Sequence, residues 1–114
     1  MYVDGYVVAV KTAKKDEYIA VARLAAQVFK DHGALTVVEC WGDDVPYGKL
    51  TSFPRAVQLE EDEAVVFSWI TYPDKATRDA CMKKSMEDPR MKHEDMPFDS
   101  KRMIFGGFES IVEA

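Results

Sequence analysis

Two hydrophobic periods alternate along the chain, and the switches between them mark its elements. Tyr2-Val3-Asp4-Gly5-Tyr6-Val7-Val8-Ala9-Val10 is β-branched and aromatic with few breaks, which reads as a strand. From about Ala13 to His32 the spacing becomes three and four. Tyr18, Val21, Ala22, Ala25, Val28 and Phe29 form one stripe, with Lys15, Asp16, Arg23, Gln27, Lys30 and Asp31 on the other side. This predicts an amphipathic helix, and Gly33 follows it as a residue suited to the left-handed conformation that ends one. Leu35 to Trp41 then resumes an extended, Val-rich pattern. Gly42 to Asp62 carries Gly-Asp-Asp-Val-Pro, Tyr-Gly-Lys and Phe-Pro-Arg with no sustained period, so a long connection is expected there. Within it, Arg55 to Leu59 is compatible with an extended segment, and Glu60-Glu61-Asp62-Glu63 with a solvated hairpin end. Ala64 to Tyr72 is again a strand. Asp74, after Pro73, is placed to accept from the free amides of a second helix that runs to about Asp88, before Pro89. The apolar residues of that helix, Ala76, Ala80, Cys81, Met82 and Met86, spread over much of the wheel, which leaves its orientation open. Arg90 to Pro97 is expected to form a helical turn and loop, and Arg102 to Val112 a closing strand in which Gly106-Gly107 marks a bulge or a close backbone approach.

The order β-α-β-β-α-β predicts an α+β, ferredoxin-like domain over residues 1–114, in which right-handed crossovers place both helices on one face of a four-stranded antiparallel sheet. Alternation then puts Val65, Phe67 and Trp69 on one face of the third strand and Val66, Ile70 and Tyr72 on the other. On the fourth strand Met103, Phe105 and Ile111 oppose Ile104, Phe108 and Val112. Both faces are apolar, and the helices cover one. A sheet left with Trp and Ile in water is a large apolar patch, so the second face is expected to meet another copy across a two-fold axis as a homodimer, a dimeric α/β barrel.

Charge and cysteine content narrow the partners. Against 20 Asp and Glu stand 15 Lys and Arg, a net charge of -5, the wrong sign for a grip on phosphate backbones, and no nucleic-acid partner is expected. The basic residues sit in short groups, such as Lys83-Lys84 and Lys101-Arg102, interleaved with acids. Cys40 and Cys81 have no CxxC spacing and fit reduced thiols, hence a cytoplasmic location. No apolar run approaches the ~18 to 20 residues of a membrane span, and Met1 to Val10 lacks the features of a signal peptide, so no membrane partner is expected.

Longer motifs carry a resemblance. Tyr2-Val3-Asp4-Gly5-Tyr6-Val7-Val8, Cys40-Trp41-Gly42-Asp43-Asp44-Val45-Pro46 and Gly48-Lys49-Leu50-Thr51-Ser52-Phe53-Pro54-Arg55-Ala56 are joined by Val65-Val66-Phe67-Ser68-Trp69-Ile70, Met96-Pro97-Phe98-Asp99 and Lys101-Arg102-Met103-Ile104-Phe105-Gly106-Gly107-Phe108. With these the chain resembles, end to end, the YbaA-like family of small bacterial proteins, classed as a domain of unknown function. The resemblance implies a dimeric α/β barrel, in agreement with the face count, and no established reaction. The chain departs from the family pattern at Val10 to Lys15, where proline-containing sequence is expected, and this touches only the first strand-to-helix turn.

Candidate chemistry is sparse. Glu39 shares a strand face with Leu35, Val37 and Trp41, where burial would raise its pKa and make it an acid or base. The alternative is that Glu39 lies at a sheet edge or pairs with a Lys or Arg from a neighbour. Asp4 and Tyr6 share a face of the first strand, and Arg102 is a candidate ion-pair partner for Asp4. Tyr6, Trp41, Trp69 and Tyr72 are candidate pocket walls, with core or dimer-interface packing as the competing role of Trp69. Lys49 and Arg55, on the long connection, are candidates to clamp a carboxylate or phosphate, or to make intersubunit pairs. Gly48-Lys49-Leu50-Thr51 lacks the glycines of a phosphate loop. His32 and His93 have no metal-ligand spacing, so neither a metal nor a cofactor is implied. Two functional readings follow: a pocket between sheet and helices that binds or transforms a small aromatic or acidic metabolite with Glu39 as the catalytic group, or a non-catalytic dimer that acts through residues 43–55.

Overall fold

Strand registers decide which side chains meet, because successive residues point to opposite faces of a sheet. The computed structural model describes residues 1–91 and 96–114 and contains β1 (Tyr2–Lys11), a 3-10 turn (Thr12–Lys14), α1 (Lys15–Asp31), β2 (Thr36–Trp41), α2 (Phe53–Ala56), β3 (Glu63–Tyr72), α3 (Lys75–Glu87) and β4 (Ile104–Glu109). The strands form a four-stranded antiparallel sheet in the order β2-β3-β1-β4, the ferredoxin-like arrangement expected from the element order. Residues 92–95 of the expected turn at 90–97, His93 among them, lie outside the described residues.

The helix ends follow their local chemistry. Gly33, at φ +119°, closes α1 in a conformation that favours glycine, and its N–H donates to the Lys30 carbonyl. Asp74 caps α3 by accepting from the Thr77 amide at 2.7 Å. The segment read as extended, Arg55 to Leu59, instead begins inside α2. Ser52 Oγ accepts from the Arg55 amide at 3.1 Å, and Pro54 sits in the first turn, where its missing N–H costs nothing.

One face of the sheet carries α1 and α3. Val8, Val10 and Val66 pack on Tyr18 of α1, while Ile70 and Tyr72 pack on Cys81 of α3. The weak apolar stripe of α3 is supplemented by a buried charge. Asp4, 6% exposed, accepts from Tyr72 Oη at 2.9 Å and from Arg78 Nε at 3.1 Å, and Arg78 also donates to Tyr2 Oη at 3.0 Å. Gly107 faces Asp4 across the β1–β4 ladder, and any Cβ there would run into Arg78 and Tyr2. That ladder keeps one register from Tyr2↔Glu109 to Val7↔Ile104, so Gly106-Gly107 is a close approach and not a bulge.

Arg102 does not pair with Asp4. The register places Ile104 opposite Val7, so Arg102 lies beyond it, at the opposite end of β1 from Asp4. There it donates to both carboxylate oxygens of Glu63 at 2.7 Å and to Asp99 at 2.9 Å. Glu63, expected in the solvated turn, is consequently a buried residue of β3, and Arg102 holds its carboxyl below the usual range. Turning Arg102 toward Glu63 also starts β4 at Ile104. At the other end the strand stops at Glu109, leaving Ile111 and Val112 exposed beyond it.

The second face is apolar too, and the long connection covers one end of it. Val57, fully buried, packs with Val7, Ala9 and Val65, and Leu59 joins them. Phe67, Ile104 and Phe108 remain 43%, 44% and 62% exposed on the rest of this face.

Breaking the Asp4 pair should be costly, because it strands a buried carboxylate. Arg78→Met is expected to lower unfolding free energy by about 3 kcal/mol in urea denaturation at neutral pH, with partial recovery on adding Asp4→Asn. An unchanged midpoint for Arg78→Met would mean that Asp4 does not need its partner.

Candidate functional site

Small residues on α1 leave room between that helix and the edge strand β2. Ala22 and Ala26 lie one and two turns beyond Tyr18 on the face turned to the sheet, and the adjacent row carries Ile19 and Arg23. Opposite them β2 presents Val37, Glu39 and Trp41, with Val66 of β3 as the floor. Together they enclose a cleft of about 290 Å³. Its walls are apolar, and its polar groups are few: Tyr18 and Glu39 inside, Arg23 on the helix wall.

Glu39 is the chemical centre of this cleft. Its Oε1 accepts from Tyr18 Oη at 2.6 Å. The side chain reaches solvent through the cleft mouth, yet the surrounding apolar atoms desolvate its charge and raise the carboxyl pKa, an effect that the Tyr18 hydrogen bond partly opposes. Burial and the neighbouring carboxylate push the Tyr18 hydroxyl up as well, so it stays protonated and remains a donor. Glu39 lies on the edge strand β2 and is exposed, as the sheet-edge alternative has it, but it takes part in none of the ion pairs among the described residues. Lys15 sits over the Trp41 wall, its ammonium 5.0 Å from the centre of the ring. A carboxylate held in one orientation by a tyrosine, among apolar walls, can take or return a proton.

The remaining candidates separate. Glu39, Ser68, Tyr6 and Phe105 form one row across the helical face, but Tyr6 stacks on Phe105, with ring centres 6.3 Å apart, and does not line the cleft. Burial raises the Tyr6 hydroxyl pKa, with Asp4 adding to the effect. Trp69 lies on the opposite face, 5.6 Å from Phe67 between ring centres, and Tyr72 belongs to the Asp4 network. Lys49 is exposed on the long connection. Arg55 does not reach out to form a clamp with it. Its guanidinium donates to the carbonyls of Tyr47 and Gly48, both at 3.1 Å, and lies 4.3 Å over the Tyr47 ring, so its donors fasten its own loop. Sequence reasoning had placed Tyr18 among core residues and Arg23 on the polar face of α1. The available signal was the one hydroxyl-bearing side chain within an otherwise apolar stripe and a cation flanking small alanines.

A second cleft, about 310 Å³, lies against Lys11, Glu60, Glu63, Asp99 and Arg102, but these charges are engaged with one another. Among the described residues no group of three or more His, Cys, Asp or Glu is arranged to hold a metal ion. Among the described residues no helix is long and apolar enough to cross a membrane.

The Glu39 environment gives a signed expectation. Tyr18→Phe removes a bond to the charged form, so the Glu39 carboxyl should titrate at higher pH than in the unaltered protein when followed by carbon NMR. A folded-state pKa above the unfolded value makes ionisation on raising the pH unfavourable to folding, so Glu39→Gln should raise the melting temperature at pH 7 more than at pH 4. A downward shift in Tyr18→Phe would contradict the assigned role of the hydroxyl.

Comparison with known proteins agrees with the architecture. An uncharacterised NIPSNAP domain protein from Burkholderia xenovorans superposes with a TM-score of 0.63 over 100% of this chain and 98% of its own, at 15% identity, a likeness of fold. The uncharacterised protein YbaA of Escherichia coli strain K12 is 61% identical over 114 residues, spanning 98% of this chain and 97% of that one. YbaA of Shigella flexneri matches to the same extent. Residues 1–100 match the family described as "Protein of unknown function (DUF1428)", and with these full-length relatives the chain belongs to that family.

Proposed function

We propose that this protein is a cytoplasmic homodimer that binds a small aromatic or acidic metabolite in the cleft between α1 and β2, with Glu39 as the proton-handling group. The observation that carries the reading is the Tyr18–Glu39 pair: a carboxylate at the mouth of an apolar cleft, oriented at 2.6 Å by a hydroxyl and without a cation partner among the described residues. A carboxylate so placed is open to a ligand whose proton it meets. Association through the outer face rests on Phe67, Ile104 and Phe108, an exposed apolar surface of the kind that soluble proteins cover with a partner. The free thiols of Cys40 and Cys81 fit a reducing compartment.

A second reading is favoured by one specific observation. Tyr47, Leu50 and Phe53 on the long connection are 58%, 94% and 49% exposed, which suits a non-catalytic interaction protein that uses residues 43–55.

Light scattering should give a mass twice the 12.9 kDa of one chain, and Phe67→Glu should shift it toward the monomer. A stable unaltered monomer at micromolar concentration would overturn the dimer. Screening aromatic and carboxylic metabolites by amide chemical shifts should move signals of α1 and β2, with weaker or altered binding in Glu39→Gln. Shifts confined to residues 43–55 would favour the second reading.

A further inference from the structure

Arg23 stands apart from the other arginines. Arg78 binds Asp4, Arg90 binds Asp31 and Asp88, Arg102 binds Glu63 and Asp99, and Arg55 is fastened to the carbonyls of its own loop. Arg23 takes part in none of the ion pairs or side-chain hydrogen bonds among the described residues, although it lines the cleft of Glu39. Its own helix supplies no partner either. The positions three and four residues away are Ala20, Ile19, Ala26 and Gln27, none of them acidic. A guanidinium offers a planar fork of donors matched to a carboxylate, and this one borders an apolar cavity with its fork free.

We propose that Arg23 is the anion anchor of the cleft, and that the ligand is a flat, largely apolar molecule of one or two rings whose carboxylate meets Arg23 while an uncharged hydroxyl or keto group faces Glu39. The inference rests on the reading of this cleft as a ligand site and adds the ligand class. Size supports it: a cavity of about 150 Å³ accepts benzene, and this cleft has about 290 Å³. The walls support it as well, since Ala22, Ala26, Val37 and Val66 give an apolar slot with the Trp41 ring along it. Lys15, above that ring, adds a second positive charge at the rim. Glu39 Oε1 accepts from Tyr18 Oη, which leaves its second oxygen to accept from an uncharged hydroxyl.

The test is an amide-shift titration of the full-length protein with 4-hydroxybenzoate and its uncharged counterpart 4-hydroxybenzamide, repeated with Arg23→Met. Arg23 lies on the surface of α1, and the same spectra report whether the variant is folded. The acid should move signals of residues 18–26 and 37–41, bind at least about tenfold more weakly to Arg23→Met, and lose its advantage over the amide there. Equal binding of acid and amide to the unaltered protein, or an unchanged acid affinity in Arg23→Met, would overturn the anchor while leaving the cleft as a ligand site. Failure of both compounds to move these signals at millimolar concentration would overturn the ligand class, and the wider metabolite screen would then decide the cleft by itself.

Discussion

A carboxylate that cannot reach water organises the helical side of this sheet. Asp4 sits in β1, one strand from the edge, and its charge is tolerable only because Tyr72 and Arg78 both donate to it. Arg78 belongs to α3, a helix whose apolar residues are too scattered to choose an orientation, so the ion pair together with the burial of Cys81 seats it. Once α3 is fixed over that part of the sheet, α1 packs beside it, with the Cys81 thiol donating to the Phe29 carbonyl and His32 meeting Asp88 at 2.9 Å. The far side of α1 then overhangs β2, and the alanines on that side leave the cleft.

The cleft and the outer face are opposite surfaces of the same strands. On β2, Val37, Glu39 and Trp41 turn toward α1, while Thr36, Val38 and Cys40 turn to the other side. The single-residue alternation therefore separates the cleft from the exposed apolar face without any extra element. The long connection contributes to the outer face alone, through Val57 and its neighbours, and Arg55 stiffens its approach.

What the sequence disclosed and what it withheld divide along range. Elements set by local rules were legible: the period of α1, Gly33 at its end, the Asp74 cap, the apolar alternation of β3 and the element order that implies the fold. The shared face of Val37, Glu39 and Trp41 was legible for the same reason, and it brought Glu39 to notice. Leu35 was read into that face as well, but the strand begins at Thr36 and Leu35 is half exposed. Pairings between distant positions were not legible. Arg102 was the one candidate named for Asp4, and only the β1–β4 register places it at the wrong end of the strand while Arg78 of α3 takes the role. Tyr18 looked like a core aromatic because nothing local reveals that its hydroxyl meets a carboxylate 21 positions away. The helix at 53–56 rests on local chemistry that went unread, the Ser52 cap and Pro54 in the first turn.

Gly107 links these positions in a way that reaches past one molecule. Its missing side chain is the space in which Arg78 and Tyr2 sit, so the glycine, the arginine and the tyrosine constitute one inherited character rather than three. A lineage that acquires a side chain at 107 has to move the Arg78 guanidinium and the Tyr2 ring, and moving Arg78 disturbs one of the two donors to the buried Asp4. Descent should therefore tend to alter Gly107, Arg78 and Tyr2 together.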